Sequence, residues 1–178
     1  MKDKIMTNIE TDQKISLAVH EQYGAAVKML EIVIKKCPEE VWDDRTSGPP
    51  FWQVAYHTMY YLDRYLASSK EERKKFKPEY ELEPFENLDK LPKGTINRDQ
   101  LLTYLFDIEA KAKRRLERLT IEELNHPSIF EWHGVSVLSS LFYNIRHVML
   151  HVGSLNSKLL RKNVKLDNWV SYKLIEEK

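Results

Sequence analysis

Apolar residues recur at steps of three and four along four long stretches of this chain, and that spacing commits it to helices. The first runs from about Gln13 to Lys36 and carries Ile15, Val19, Tyr23, Ala26, Leu30 and Val33 in step. Pro38 ends it, because proline disfavours helical geometry in the residue before it. Glu39-Glu40-Val41-Trp42 reads as a short extra turn, and Ser47-Gly48-Pro49-Pro50 as a loop leading into the second helix. That helix runs from about Phe51 to Ala67, with a stripe of Phe51, Val54, Ala55, Thr58, Leu62, Tyr65 and Leu66. From Ser68 to about Ile96 the pattern fails; Lys, Glu and Pro (Pro78, Pro84, Pro92) dominate a stretch long for a loop in a compact domain.

The third helix starts at Asn97, with Gln100 placed to complete a capping box, and its stripe is Leu101, Leu105, Ile108, Ala112, Leu116 and Leu119. Asn125-His126-Pro127 marks another irregular piece. Gly134 then precedes the last helix, about Val135 to Arg161, whose Leu138, Leu141, Ile145, Val148, Val152, Leu155 and Leu159 form the longest stripe. Four amphipathic helices without a convincing strand predict an all-α fold, a four-helix bundle in one domain over residues 1–178. Connections of about a dozen residues favour antiparallel neighbours for the first and last pairs. The middle connection, residues 68–96, is long enough to return along a helix of about 25 Å. The predicted topology is therefore up-down-down-up, with one long crossover between the second and third helices.

Composition narrows the partners. Lys and Arg number 28 against 27 Asp and Glu, a net charge of +1 with the signs interleaved. Such a balance provides no field to draw the chain onto nucleic acid or an anionic membrane. The lone Cys37 excludes an intrachain disulfide, the N-terminus lacks the apolar core of a signal peptide, and no run approaches the roughly 20 apolar residues of a membrane span. The expected home is the reducing cytoplasm. Only 5 glycines, without dense turn clusters, argue against a β-sandwich.

Three histidines stand out. His147 and His151 lie four residues apart on the last helix, a spacing that lets two imidazoles reach one metal ion. His57 lies on the flank of the second helix's stripe, on the side of Tyr61 and Arg64, and His147 and His151 flank theirs beside Asn144. Histidines beside packed seams can converge at the mouth of a pocket, yet a helical His-x-x-x-His pair also occurs as an incidental surface pair. Neither a zinc-finger pattern nor a Glu-x-x-His motif accompanies them.

Two segments carry a family resemblance. Pro50-Phe51-Trp52-Gln53-Val54-Ala55-Tyr56-His57-Thr58 resembles the second-helix motif of the DinB-like superfamily, which includes the bacterial YfiT-like proteins; there an aromatic and aliphatic run leads to a metal-binding histidine. Asn144-Ile145-Arg146-His147-Val148-Met149-Leu150-His151-Val152-Gly153-Ser154-Leu155 is similar to that family's last-helix pattern, His-x-x-x-His followed closely by Gly-Gln-hydrophobic. The chain departs from it at Ser154, where the family usually has Gln, and at Val152, where Arg is common. What carries over is His57, His147 and His151 as ligands of a divalent metal ion (Zn, Ni, Fe or Mn), which suit imidazole donors. The resemblance further implies an enzyme of thiol S-transferase type that acts on a small-molecule substrate through a metal-activated low-molecular-weight thiol, such as bacillithiol or mycothiol. It equally accommodates a metal-dependent hydrolase, and a non-catalytic metal-binding or stress-associated binding protein. A homodimer built on the long last helix is a further expectation.

The other candidates read more plainly. His126 and His133 are expected to be solvated, with His133 able to overhang the pocket mouth, and His20 to lie at the surface or boundary of the first helix. Tyr60 and Tyr61 read as packing residues with a polar tip, Tyr61 within reach of a metal-bound ligand. Cys37 reads as a small buried hydrophobe, and Trp42, Trp52 and Trp132 as core or rim residues.

Overall fold

Prolines and polar caps decide where each helix after the first starts. In a computed structural model, residues 2–77 and 85–175 are described, with side chains from Lys14 onward. Within them lie α1 (Lys2–Lys36), α2 (Glu39–Trp42), α3 (Phe51–Arg64), α4 (Lys70–Lys75), α5 (Arg98–Leu116), α6 (Ile121–Asn125) and α7 (Val137–Leu160), with a 3₁₀ turn at Glu131–His133. No strand occurs among the described residues, and the fold is all-helical. Pro38 and Pro50 precede α2 and α3 in extended geometry. Asn97 and Gln100 form the expected capping box of α5. Thr120 and Ser136 cap α6 and α7 by accepting from the amides of Glu123 and Ser139.

The boundaries differ from expectation where apolar spacing is silent. α1 begins at Lys2 rather than near Gln13, since no Pro or Gly interrupts that stretch and an established helix propagates through ordinary residues. α3 stops at Arg64, before Ala67, and α7 starts at Val137, after the Ser136 cap. The crossover contains α4, capped by Ser69; its residues 78–84, with Pro78 and Pro84, lie outside the described residues. α6 falls just before the irregular Asn125-His126-Pro127 piece and carries too few residues to show a period.

Leu30, Val33, Ile34, Phe51, Trp52, Met59, Leu62, Leu101, Leu155 and Leu159 are buried in one core. Each such side chain contributes about 1.5–3 kcal/mol relative to an exposed one. α1 and α3 each pack mainly on α5 and α7 and touch one another only lightly. The close pairing expected of α1 and α3 from their short link is therefore not found, because α2 fills that link with buried Val41 and Trp42. Trp42 donates to the Ile96 carbonyl at 2.9 Å under the Arg98 guanidinium, and Trp52 donates to Asp43 at 2.8 Å. Ser16 bonds the Leu119 carbonyl at 2.9 Å, Arg98 bonds the Cys37 carbonyl and Glu39, and Lys162 pairs with Asp44 at 3.4 Å.

Beyond α7 the chain folds back along α1. Lys36 donates to the Asp167 carbonyl at 3.2 Å, the Lys173 amide to Glu21 at 3.1 Å, and the Ile175 amide to His20 at 3.3 Å. The approach is so close at Gly24 that a Cβ there would lie 1.9 Å from the Lys173 carbonyl oxygen. Cys37 is buried and free, its thiol pushed up to about 12 by burial, as suits a small hydrophobe rather than a nucleophile. No described helix is long and apolar enough to cross a membrane.

Candidate metal centre

α3 buries nearly its whole circumference, and His57 is one of the few side chains it leaves half open. α7 runs alongside and presents His147 and His151 from consecutive turns, both half-buried. One ring nitrogen from each of His57, His147 and His151 lies within 4.8 Å of the other two. The ring centroids stand 5.3 Å apart for His57 and His147, and 4.6 Å for His57 and His151 and for His147 and His151.

Each ring is oriented by its surroundings. The His57 Nδ1 lies 2.6 Å from the Glu86 carbonyl oxygen, which can only accept, so Nδ1 carries the proton and Nε2 offers a lone pair. That Nε2 faces the His147 Nε2 at 3.3 Å. Two nitrogens bonded at 2.0–2.1 Å to one tetrahedral ion stand roughly 3.3 Å apart, so the pair has the spacing a cation requires. The His147 Nδ1 is buried with no hydrogen-bond partner among the described residues. Burial lowers the pKa of all three imidazoles: His57 below the usual range, His147 to about 3 and His151 to about 4, with repulsion from neighbouring histidines adding to the last two. All three are therefore neutral near pH 7, the form in which imidazole binds metal. The donor set fits a divalent ion, and His57, His147 and His151 could hold one.

A family model described as the DinB superfamily matches residues 22–155. The chain belongs to the DinB superfamily. No curated protein and no solved structure matches it. The DinB-superfamily match takes in all three histidines and ends before the segment that folds back on α1.

Around the DinB-superfamily histidines stands an aromatic wall. Tyr61 packs on His57 at 4.9 Å and on His147 at 5.5 Å, and burial raises its hydroxyl pKa, so it remains protonated. Tyr60 accepts a bond from Arg64 at 3.3 Å and packs edge-on against Tyr61. Tyr65 lies 6.3 Å from His147 and 4.2 Å from His133.

His133 corrects the sequence reading, for it is not solvated: only 6% of it is exposed. It is sandwiched between Tyr143 at 3.9 Å and Phe130 at 4.8 Å, and its Nδ1 lies 2.7 Å from the Ser140 hydroxyl. Ring partners just before the 3₁₀ turn (Phe130) and on α7 (Tyr143) draw it inward, and burial lowers its pKa to about 4. His126 is exposed as expected, His20 is half-buried, and Trp132 lies at the rim, 58% exposed. The Glu86 carbonyl escaped the sequence reading because a backbone acceptor has no residue signature. Gln53, fully buried, braces that segment by donating to the Asn87 and Lys90 carbonyls at 2.9 and 2.8 Å.

Proposed function

We propose that this chain is a divalent-metal-dependent enzyme of thiol S-transferase type, with His57, His147 and His151 as the ligands. The observation that carries the reading is the convergence of three neutral imidazoles from two helices onto one point. A divalent ion held by His57, His147 and His151 would supply Lewis acidity toward a thiol or a water near neutral pH. The protein's part is positional. The Glu86 carbonyl fixes the His57 ring, α7 holds His147 and His151 one turn apart, and the Tyr61 and Tyr65 rings shield one side of the triad from water. Tyr61, packed on His57 and His147 and protonated, would be a hydrogen-bond donor beside the triad.

We also read the four long helices as an up-down-down-up bundle. Support comes from the end pairings of Ser16 with Leu119, Arg98 with Cys37, and Lys162 with Asp44. In that arrangement the crossover from α3 to α5 passes the triad and supplies Glu86.

Elemental analysis of metal-reloaded protein tests the ligand set: about one ion per chain is expected, against none in a His147→Ala, His151→Ala variant. Turnover of electrophiles with a panel of thiols, compared with water alone, then tests the reaction. Thiol-dependent, metal-dependent turnover is expected; turnover with water alone would make the chain a hydrolase, and stoichiometric metal without turnover would leave a metal-binding protein.

A further inference from the structure

Away from the triad, two clefts adjoin near the C-terminal end of α5. The larger, about 500 Å³, is basic on one side: Lys111, Arg114 and Arg115 line it from the last turns of α5, and Arg118 from the turn that follows. Lys111 is held by Asp63 at 2.6 Å and Arg115 by Glu123. The side chains of Arg114 and Arg118 make no hydrogen bond or ion pair among the described residues. An oxyanion already rests in this field. The Glu72 carboxylate accepts from the Ser68 amide and hydroxyl, each at 2.7 Å. Burial opposes its charge, but those bonds and the nearby Lys111 and Arg115 outweigh it and hold Glu72 below the usual carboxylate range.

The second cleft, about 290 Å³, is apolar where Ile129, Phe130, Val137 and Leu141 line it. The two have Ser68, Arg115 and Glu123 in common, so they are adjacent, and a trough spanning both has an apolar end and a cationic end. No triad histidine lines either part. The chain as a whole is nearly neutral, at +1, so the positive excess is a local feature and not a general basicity. An inorganic anion would use only the arginine end, and a neutral apolar molecule only the other. A ligand with both parts would gain from guanidinium–oxyanion hydrogen bonds and from apolar burial together.

We propose that this trough is a binding site for a small amphipathic oxyanion, an apolar ring or short chain that carries a carboxylate or phosphate head. The head faces Arg114 and Arg118, and the body lies on Ile129 and Val137, the partly exposed apolar residues of the other cleft.

Amide-resonance titrations of the full chain with phenyl phosphate, benzoate, phenol and inorganic phosphate at constant ionic strength test this. Saturable shifts confined to the trough are expected with phenyl phosphate or benzoate, and the tighter of the two identifies the head group. Phenol and inorganic phosphate should each bind at least about ten-fold more weakly. An Arg114→Glu, Arg118→Glu pair should remove saturation, and the milder Arg114→Gln, Arg118→Gln pair should weaken it, with helical circular dichroism unchanged in both. Saturation with neither oxyanion probe, shifts that map elsewhere, or affinity unmoved in the correctly folded Gln pair would overturn the proposal.

Discussion

The hydroxyl of Tyr23 and the side-chain amide of Asn144 are hydrogen-bonded in the core, 121 residues apart in sequence. The same amide donates to the Leu62 carbonyl at 3.1 Å, so Asn144 ties α7 to α1 and α3 one turn before His147. Asn144→Ala strands both acceptors in a buried site, and each unsatisfied group costs about 1–3 kcal/mol. A loss of about 2–4 kcal/mol in urea denaturation is expected, against about 1 kcal/mol for Tyr23→Phe. Equal losses would show that the bond to Leu62 contributes nothing.

Gln53 acts on the triad at one remove. Its two bonds brace the backbone at Asn87 and Lys90, next to the carbonyl that orients His57. Gln53→Leu should lower metal affinity about ten-fold in competition titrations, since partners beyond the ligands typically contribute that much or more. Unchanged affinity in a folded variant would mean that His57 is oriented without the crossover.

His133 makes stability depend on pH. Burial holds its folded pKa at about 4, below the 6.5 of the unfolded chain. Between those values the unfolded state binds the extra proton. The contribution is therefore intact above pH 6.5 and is lost as pH falls toward 4. His133→Phe keeps an aromatic ring between Tyr143 and Phe130 but removes the titration. Denaturation at several pH values should show wild type losing ground to the variant across that interval, by at most about 1.4 kcal/mol per pH unit.

Two glycines should respond with opposite signs to alanine. At Gly24 the new methyl collides with the Lys173 backbone, and the returning segment must shift. A loss of about 1–3 kcal/mol and faster proteolysis near Lys173 are expected. Gly153, inside α7, has nothing within 4 Å of an added Cβ. Gly153→Ala should stabilise by about 0.5–1 kcal/mol through helix propensity.

The spacing of apolar residues exposed the four long helices, and Asn97 and Gln100 marked a helix start to the residue, because period and cap are local. His57, His147 and His151 were legible as a set through family motifs, since spacing alone relates only the two on α7. What brings them together is the packing of α3 on α7, which no local pattern encodes. The burial of His133 was hidden for a similar reason: its partners Tyr65, Phe130 and Tyr143 come from three separate segments. The early start of α1 was missed because a helix can run on through polar residues without leaving a stripe.

The contact between His57 and residue 86 has a practical consequence for mutational scanning. The acceptor is a main-chain oxygen, so replacing the Glu86 side chain by any other leaves it in place. A scan of single substitutions would score position 86 as neutral while the triad depended on it. Within the crossover itself the dependence shows only when the main chain changes: an inserted or deleted residue between α4 and α5, or a backbone ester in place of the 86–87 amide, which weakens the carbonyl as an acceptor.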